Sequence, residues 1–442
     1  MGGGPAGLFV GYYASKSGLP FTIYEAKDRV GGNSITIKHG DFLFDSGPHL
    51  LQTKDIEVTN EITDLLQGQI SKVVLPVQTY SDGKLVDFPF SPLNLLTTMG
   101  ILFFARAAFQ IARTRFSVKK GRNFEEFARH TYGKVMAERF LLNYSQRLWG
   151  LPCSELSPKI GGYKLRGLNI TTFLIEVIRG RTAKVKHLGG TIYYPNRGFG
   201  TIAERLSEVC GARNVRTNSR VTSVFHDNFR IRAIELNGIT IEPADEVVST
   251  LPLNVLVQLM RPKLPEDVLT VAESLHFRAL VLVVIFLKIP SVTESSSIHF
   301  PDPQVPFTRL HEPKNRSKSM APDGQTSLVT EIPCQEGDEA WNMQDKELVS
   351  RVVTGLQKIQ LIAAGEIIDG MVVRLDNAYP VLEVNYEQKI QQIRAYLDKF
   401  SNLKLTGRTG AFAYLSLHHI MKLAKSTVAS YMSDKGYESE RA

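Results

Sequence analysis

The chain has 442 residues, of which 43% are hydrophobic and 22% charged, and its formal net charge is +8. This length is too great for one hydrophobic core and predicts two to three domains, with the composition of a soluble globular protein. The mild positive excess suits an anionic ligand or an acidic membrane surface, and a solvated basic surface explains it equally well. Cys153, Cys210 and Cys334 lack C-x-x-C spacing and matching histidines, which argues against a disulfide framework or zinc site and favours a reducing cytoplasm.

The chain begins with a glycine run that is followed by an acidic residue. Gly2, Gly4 and Gly7 fit the pattern G-x-G-x-x-G. Such glycines allow a tight turn, admit a pyrophosphate to the backbone and let a helix pack closely on a strand. A helix is predicted over 5–17, with its positive end toward the phosphates, and a strand over 21–24. Glu25 then lies about where a dinucleotide-binding fold places the acid that binds a ribose.

The buried strand that normally precedes such a glycine run is missing, because Met1 stands directly before Gly2. We expect that the natural protein has further residues upstream or that the start is misassigned. We also expect the chain as given to be less stable than a longer form.

The next hundred residues change from strands to helices. Residues 35–46 read as two short strands around a turn at 38–41, leading into Gly47, Pro48 and His49. The apolar stretch 93–112 is about as long as a bilayer span, but it contains an arginine in its middle. Because charge in mid-span is costly, a buried helix pair or an interfacial amphipathic helix is favoured over a crossing. Peripheral membrane contact is left open.

A helical region is predicted from about 92 to 173. Asn123, with Glu126 three residues later, marks a helix start, and Pro152 ends the helical pattern. A further amphipathic helix is expected over 201–210.

The second half of the chain alternates strands and helices. Hairpins are predicted at 227–228 and 237–238, followed by a buried strand over 244–252 that returns to the first sheet. A β-rich section is expected over 276–330, with a long loop at 301–325. The last predicted elements are listed in chain order: a helix over 345–359, a strand over 369–375, a helix over about 386–397, a strand over 403–407 and a helix over about 414–432.

This interleaved order indicates discontinuous domains, since the first glycine loop needs later strands to complete its sheet. We predict a nucleotide-binding domain formed by 1–90, 190–260 and 395–442. The second domain, formed by 91–189 and 261–394, consists of a helical insert and a mixed sheet and is expected to bind the substrate.

The motifs spread along the chain resemble the glutathione-reductase-like flavoenzyme superfamily of amine oxidases and protoporphyrinogen oxidases, in the branch close to UDP-galactopyranose mutases. The matching segments are GGGPAGL (2–8), EAKDRVGGNS (25–34), FDSGPH (44–49), NYSQRLWGLP (143–152), YYPNRGFGTI (193–202), ADEVVSTLP (244–252), NAYPV (377–381) and GRTGAFAYLSLHH (407–419). The resemblance implies an α/β fold with a discontinuous Rossmann FAD domain and tightly bound FAD as the cofactor.

The resemblance also assigns roles to residues along the cofactor. The pyrophosphate would lie on the glycine loop, the adenosine ribose on Glu25, the adenine edge on the backbone of Val221, and the isoalloxazine beside residues 47–49. The cofactor-binding residues implied in this way are Gly2, Gly4, Ala6, Gly7, Glu25, Arg29, Gly32, Asn33, Gly47, Pro48, Val221, Gly407 and Arg408. A positive helix end near the flavin ring would stabilise negative charge on it and raise its reduction potential.

The candidate catalytic residues are His49, Arg309, Tyr379 and Tyr414. The segment PFTRLHEPKNRS (306–317) resembles the mutase segment whose arginine binds a pyrophosphate, and the two tyrosines match mutase tyrosines that contact the diphosphate. Two of the site residues also have a purely structural explanation. His49 can be a loop residue that forms a hydrogen bond, and Arg408 can belong to an ion pair at the surface.

Four positions depart from the related patterns. Leu142 stands where the mutases have a second phosphate-binding arginine, His299 where they have a tyrosine, and Ser416 where they have an asparagine. His418 replaces an acid found in related oxidoreductases. Losing one of two arginines removes strong charge-assisted hydrogen bonds, which argues against mutase activity.

The sequence therefore predicts an FAD-dependent oxidoreductase that takes hydride from a small-molecule substrate to flavin N5. One alternative is a mutase-like flavoenzyme acting on a nucleotide-sugar, and another is a flavin-binding protein without catalysis. We expect a cytoplasmic protein with no metal and no nucleic-acid partner. The substrate, the electron acceptor and the oligomeric state are not specified by the sequence.

Overall fold

The structure is a computed structural model that describes residues 1–52, 55–88, 90, 92–114, 121–161 and 192–434. The part of the predicted helical region that lies beyond 161 falls outside these residues. The helices are α1 Pro5–Lys16, α2 Ile56–Leu65, α3 Pro92–Met99, α4 Ile101–Thr114, α5 Phe124–Met136, α6 Asn143–Trp149, α7 Thr201–Cys210, α8 Leu253–Leu259, α9 Glu266–Glu273, α10 Glu339–Asn342, α11 Asp345–Lys358, α12 Tyr386–Leu397, α13 Gly407–Gly410 and α14 Leu417–Asp434.

The strands, in chain order, are β1 Ile23–Tyr24, β2 Thr36–His39, β3 Phe42–Asp45, β4 Leu51–Gln52, β5 Ile70–Val73, β6 Val77–Ser81, β7 Lys84–Phe88, β8 Ile192–Pro195, β9 Val215–Arg216, β10 Val221–Asp227, β11 Arg230–Leu236, β12 Thr240–Pro243, β13 Val247–Ser249, β14 Met260–Arg261, β15 Phe277–Leu287, β16 Ser297–His299, β17 Arg309–His311, β18 Thr326–Cys334, β19 Ile367–Pro380 and β20 Leu403–Leu405. A π-helical turn, Ala137–Leu142, joins α5 to α6.

Two parallel strand pairs form the layer behind the glycine run. β1 pairs with β9, and β13 pairs with β20. The backbone of the first two residues joins these pairs, because Gly2 N donates to Tyr24 O at 2.8 Å and Thr250 N donates to Met1 O at 3.0 Å. The glycine run is thereby fixed between β1 and the end of β13, as the predicted return of the 244–252 segment requires.

The largest sheet has seven strands in the order β19-β15-β18-β17-β16-β6-β7. Its second strand, β15, lies between β19 and β18 and is buried on both faces, since side chains alternate between the faces of a strand. One face packs against α11, and the other face packs against the β2–β3 hairpin through Phe42, Phe44 and Phe286. This second face also carries Arg309, on β17, and it therefore forms one wall of the candidate site.

The prediction of a long loop over 301–325 is wrong at the centre of that range. Residues Arg309–His311 form β17, which pairs with both β16 and β18. Proline and lysine flank this short strand and obscure its pattern in the sequence. The strand predicted over 369–375 is present but extends over Ile367–Pro380, so that Tyr379 lies on the sheet.

The ends of several predicted helices also differ. The last helix begins at Leu417 rather than near 414, so Tyr414 lies in the segment that leads into it. The predicted strand over 403–407 stops at Leu405, and Gly407 begins the short helix α13. The stretch 93–112 forms two helices that meet at Gly100, and no helix among the described residues is long and apolar enough to cross a membrane.

The two-domain division remains a prediction. One core contains α1, α7 and α14, and it joins the beginning of the chain to its end. A second core joins strands β10 and β11 to helices α8, α9 and α12. A third cluster contains side chains of the helices from α3 to α6, among them Trp149 at the end of α6.

Candidate flavin site and adjoining pocket

The glycine run forms an open cradle at the beginning of α1. Gly4 caps the helix, and the first intrahelical bond runs from Leu8 N to Gly4 O at 3.0 Å. The N–H groups of Ala6 and Gly7 precede this bond, so they point out of the helix end and are free to donate to an anionic group there. A β-carbon added to Gly7 would lie 2.0 Å from Gly2 O, whereas one added to Gly4 would meet nothing nearer than 3.8 Å. The loop is therefore crowded behind the helix and open in front of it.

Glu25 is buried at the end of β1 and holds the glycine loop. Its Oε2 accepts a hydrogen bond from Gly3 N at 2.7 Å, and its Oε1 accepts one from Lys27 N at 2.9 Å. Each carboxylate oxygen keeps an acceptor site, because a carboxylate has about four. Ser219 N donates to Glu25 O at 2.8 Å, which brings the beginning of β10 and its buried residue Val221 close to this acid.

The end of the chain closes over the glycine loop. Gly407 has a φ of +82°, and a β-carbon added there would lie 2.8 Å from Cβ of Ala6. The Thr409 hydroxyl donates to Thr250 O at 2.9 Å. The half-buried Arg408 guanidinium donates to Leu415 O, at 2.8 Å from Nη2, and within the described part of the chain it forms no ion pair with a carboxylate.

His49 lies half-buried beside the loop that follows β3. Its Nε2 donates to Asn33 O at 2.9 Å, and its ring stacks on Phe199 with the centroids 5.3 Å apart. Burial, reinforced by the positive charge of Arg408, lowers the pKa of His49 to about 3. The imidazole is therefore neutral, and with its proton on Nε2 the Nδ1 atom is a bare acceptor. A β-carbon on Gly47 would lie 3.3 Å from His49 Nε2.

The remaining predicted cofactor residues make fewer or longer contacts than Glu25 and His49 do. Gly32 has a φ of +54°, and a β-carbon on it would lie 3.2 Å from Gly4 Cα, so it faces the cradle. The Asn33 amide donates to Asp376 O at 3.4 Å. Pro48 is half-buried, and Arg29 is exposed and makes no hydrogen bond or ion pair within the described part of the chain.

Arg309 forms a buried ion pair on the large sheet. Its Nη2 donates to Glu331 Oε2 at 2.5 Å, and the two residues face each other across β17 and β18. The same Nη2 donates to the Tyr379 hydroxyl at 3.3 Å. The paired carboxylate holds the pKa of Arg309 well above its usual value despite burial, so the guanidinium stays charged.

Three aromatic rings stand beside this ion pair. Trp149 lies 6.1 Å from Tyr379 and 6.1 Å from Tyr414, and the two tyrosine rings are 6.2 Å apart. Tyr414 also lies 4.9 Å from the Arg408 guanidinium, in a cation–π contact. Burial raises the pKa of Tyr379, so its hydroxyl keeps its proton. Three of the four candidate catalytic residues, together with Arg408, therefore form one group.

Several buried polar atoms near these residues have no hydrogen-bond partner in the described structure. They are Arg309 Nε, Glu331 Oε1, both ring nitrogens of His311, and Nε and Nη1 of Arg316. By contrast, Arg147 donates to the carbonyls of four residues, Phe300, Asp302, Val305 and Phe307. Because buried polar groups in native proteins are nearly always bonded, these unpaired atoms mark space for a polar ligand.

Sequence reasoning missed three members of this group. Glu331 lies inside an apolar strand, and only its pairing with β17 brings it to Arg309. His311 and Arg316 belong to the segment 306–317 that the sequence singled out, but the resemblance gave them no role. The repeated polar residues in an otherwise apolar sheet region were the available signal.

The structure also locates the four positions where the sequence departs from the mutase and oxidoreductase patterns. Leu142 is packed in the helical core near Trp149 and cannot supply a second cation. His299 lies 5.0 Å from the Tyr144 ring. The Ser416 hydroxyl is within 2.7 Å of His419 Nδ1 and 3.0 Å of His418 Nδ1. Among the residues that the structure describes, no cluster could hold a metal ion.

The geometry fits FAD. The open cradle at Gly4 has room for a pyrophosphate, Glu25 has free acceptor sites for ribose hydroxyls, and the unpaired atoms near His49 and Arg309 suit a polar ring edge. These elements come from both ends of the chain and from the large sheet. They meet as a dinucleotide-binding fold requires.

Comparison with known proteins agrees with this geometry. The sequence profile described as "Flavin containing amine oxidoreductase" matches residues 5–409. Protoporphyrinogen oxidase 1 of Arabidopsis thaliana chloroplasts is 25% identical over 311 residues, which covers 64% of this chain and 58% of that enzyme. Coproporphyrinogen III oxidase of Bacillus subtilis is 23% identical over 447 residues and covers 92% of both chains.

The fold is similar to that of a crystal structure of reduced UDP-galactopyranose mutase, with a TM-score of 0.86 and 18% identity, covering 98% of this chain and 94% of that one. These findings confirm the predicted superfamily, the α/β glutathione-reductase-like fold and FAD as the cofactor. The chain belongs to the family of flavin-containing amine oxidoreductases, a class of FAD-dependent enzymes.

Proposed function

We propose that the protein is an FAD-dependent oxidoreductase that oxidises a small-molecule substrate held between the aromatic rings of Trp149, Tyr379 and Tyr414 and the flavin. The observation that carries this choice over a mutase is Leu142. Leu142 occupies the position where a mutase would have its second phosphate-binding cation, and its apolar side chain is buried in the helical core.

The cofactor-binding roles predicted from the sequence form part of the proposal. Gly2, Gly4, Ala6 and Gly7 bind the pyrophosphate, and Glu25 binds the adenosine ribose. The other roles, in order along the cofactor, are Val221 at the adenine, Arg29, Gly32 and Asn33 on the phosphate and ribityl side, Gly47, Pro48 and His49 beside the ring, and Gly407 and Arg408 over it.

When bound, FAD supplies a two-electron acceptor at N5, and the electrons then pass to oxygen, a quinone or another acceptor. The residues of the chain arrange the surroundings. The neutral ring of His49 offers Nδ1 as an acceptor, and the aromatic rings keep water from the substrate. The Arg309 guanidinium, balanced by Glu331, hydrogen-bonds the substrate without adding net charge to the pocket. Such a pocket suits a largely apolar, cyclic substrate.

The names of the relatives suggest the first substrate to test. FAD-loaded protein is mixed with coproporphyrinogen III or protoporphyrinogen IX in air, and porphyrin fluorescence is followed. A rise in fluorescence above that of free FAD with the same porphyrinogen, lost on Tyr379→Ala and Trp149→Ala, supports the proposal. If neither porphyrinogen nor a hydrophobic amine reduces the flavin anaerobically, the oxidoreductase proposal fails. That result would favour the alternative of a flavin-binding protein without catalysis.

The mutase alternative is supported by the fold similarity to UDP-galactopyranose mutase and by the grouping of Arg309, Tyr379 and Tyr414. It predicts that UDP binds tightly to the dithionite-reduced protein and that Arg309→Ala abolishes this binding. A matched control is Arg147→Ala, because that guanidinium is already paired with backbone carbonyls. Absence of UDP binding in the wild-type protein argues for the oxidoreductase.

The location of the protein is also proposed. Cys153, Cys210 and Cys334 are free and buried, as expected for a protein of the reducing cytoplasm. Peripheral membrane contact belongs to the same proposal.

A further inference from the structure

Helix α4 presents large apolar side chains to solvent. The exposed fractions are 71% for Ile101, 81% for Leu102 and 69% for Phe109. Ala107 is its one fully buried residue, and the helix leans on α5 through half-buried side chains such as Phe103. A surface helix of a soluble domain normally turns its apolar stripe inward. Within the described part of the chain, α4 leaves a second apolar face exposed to solvent.

Cations share this exposed face. Arg106 and Arg113 are both exposed, and Leu102, Arg106, Phe109 and Arg113 follow one another at i, i+4, i+7 and i+11. This spacing places them on a single stripe of a helix. No aspartate or glutamate occurs between 92 and 114, in either α3 or α4. The stripe therefore combines apolar area with positive charge and has no acidic residue of its own to balance it.

The preceding helix extends the same surface. Leu93 on α3 is 52% exposed, and α3 joins α4 at Gly100. Lys84, on the neighbouring strand β7, donates to Thr98 O at 2.7 Å and so adds a cation near the end of α3. With 14 residues, α4 is about 21 Å long, which is shorter than the roughly 30 Å hydrocarbon core of a bilayer. It suits contact along a membrane surface.

A second copy of the chain, an acidic macromolecule or an anionic membrane could cover this face, and the positions of its charges favour the membrane. In a symmetric dimer formed through it, Arg106 and Arg113 of two copies would be brought together, and like charges oppose such contact. A purely acidic macromolecule would leave Ile101, Leu102 and Phe109 in water. An anionic lipid surface offers phosphates to the arginines and an acyl boundary to the apolar side chains.

We propose that the α3–α4 hairpin is a membrane-docking surface that inserts Leu93, Ile101, Leu102 and Phe109 into the interface of an anionic bilayer. Arg106 and Arg113 lie at the level of the lipid phosphates. This inference names the surface and the lipid class for the peripheral contact in the proposed function, and it is independent of the flavin chemistry.

The test is vesicle flotation of the FAD-loaded protein with phosphatidylcholine vesicles that contain or lack phosphatidylglycerol. The wild-type protein is expected to float with the phosphatidylglycerol vesicles, and added salt should weaken the binding. Leu102→Glu with Phe109→Glu should reduce binding about tenfold or more, and Arg106→Gln with Arg113→Gln should remove the preference for anionic lipid.

The matched control replaces two other exposed apolar residues by the same charge, Ile239→Glu with Ile241→Glu on the β11–β12 hairpin, which are 85% and 61% exposed. This variant should bind as the wild type does. Flavin content and circular dichroism verify that each variant is folded. The proposal is overturned if the wild type ignores anionic vesicles, or if the α4 and control variants bind equally. It is also overturned if light scattering shows a dimer that the α4 variant dissolves.

Discussion

Arg309 and Glu331 form a buried ion pair across β17 and β18, with Arg309 Nη2 2.5 Å from Glu331 Oε2. The carboxylate is completely buried, and the guanidinium also reaches the Tyr379 hydroxyl. Removing one partner of such a pair leaves an uncompensated buried charge, which is far more costly than replacing both partners by apolar groups. The pair therefore makes a stability prediction that does not depend on activity.

Glu331→Gln should lower the free energy of unfolding by about 3–5 kcal/mol, because Arg309 would keep its charge without a counter-charge. The double variant Arg309→Met with Glu331→Leu should recover most of this loss. Urea unfolding of the FAD-loaded protein, followed by circular dichroism and flavin fluorescence, measures both. Glu347→Gln, at the exposed Arg351–Glu347 pair, is the control and should change little. Equal effects of Glu331→Gln and Glu347→Gln would show that the Arg309 pair is not buried.

Gly4→Ala should remove FAD binding without unfolding the protein. Gly4 has φ −71° and ψ 177°, which alanine adopts freely, and the added methyl group meets no protein atom within 3.8 Å. It would instead fill the space proposed for the pyrophosphate, and a loss of FAD affinity of about 100-fold or more, roughly 2.8 kcal/mol, is expected.

Gly7→Ala provides the contrast, since its methyl group would collide with Gly2 O at 2.0 Å and should destabilise the protein itself. Gly365→Ala, where a β-carbon meets nothing within 4 Å, is the neutral control. Thermal unfolding and FAD titration of the three variants separate the two effects. Normal FAD affinity in Gly4→Ala would place the pyrophosphate elsewhere.

The burial of His49 predicts a loss of stability at acid pH. Its folded pKa of about 3 lies below its ordinary value of 6.5, so the folded protein binds fewer protons than the unfolded chain between these values. Stability should therefore fall as the pH drops from about 6.5 toward 3. The thermal midpoint of the FAD-saturated protein should decrease less between pH 7 and pH 5 in His49→Gln than in the wild type. His226→Gln, at a half-buried histidine on β10, is the control substitution and should follow the wild type. Identical pH profiles for all three proteins would refute a His49 that stays neutral in the folded protein.

Arg316 should raise the reduction potential of the bound flavin if its unpaired guanidinium nitrogens face the ring. Its Nε and Nη1 lack partners in the described structure, while Nη2 donates to Ser296 O at 3.1 Å. A nearby cation favours negative charge on the ring, so Arg316→Gln should lower the potential by about 30 mV or more, a tenfold change for a two-electron couple. Arg316→Lys should restore part of it. Arg147→Gln, which removes an arginine whose two Nη atoms donate to four backbone carbonyls, should affect stability but not the potential. An unchanged potential in Arg316→Gln would place that side chain away from the flavin.

The local parts of the site were predictable from the sequence because neighbouring residues build them. The glycine run, α1 and Glu25 lie within the first 25 residues. Their spacing is set by the lengths of one loop, one helix and one strand that follow one another along the chain. The hairpins at 227–228 and 237–238 are confirmed for the same reason, since turn residues fix them locally.

The parts that sequence reasoning missed depend on distant pairing. Glu331 reaches Arg309 only through the register of β17 with β18, and an acid inside an apolar strand gives no sign of its partner. Trp149, Tyr379 and Tyr414 come from a helix end, a sheet and a loop, so no periodicity links them. The short strand at Arg309–His311 was hidden because its stability comes from two neighbouring strands rather than from its own sequence.

The central claim is that the glycine cradle and the segment that closes it form an FAD site, and titration of the purified protein with FAD tests this most directly. Stoichiometric binding of one FAD per chain, with a shifted flavin absorbance spectrum and competition by ADP, is the predicted result. A folded protein that leaves the FAD spectrum unchanged at saturating concentration would contradict the account.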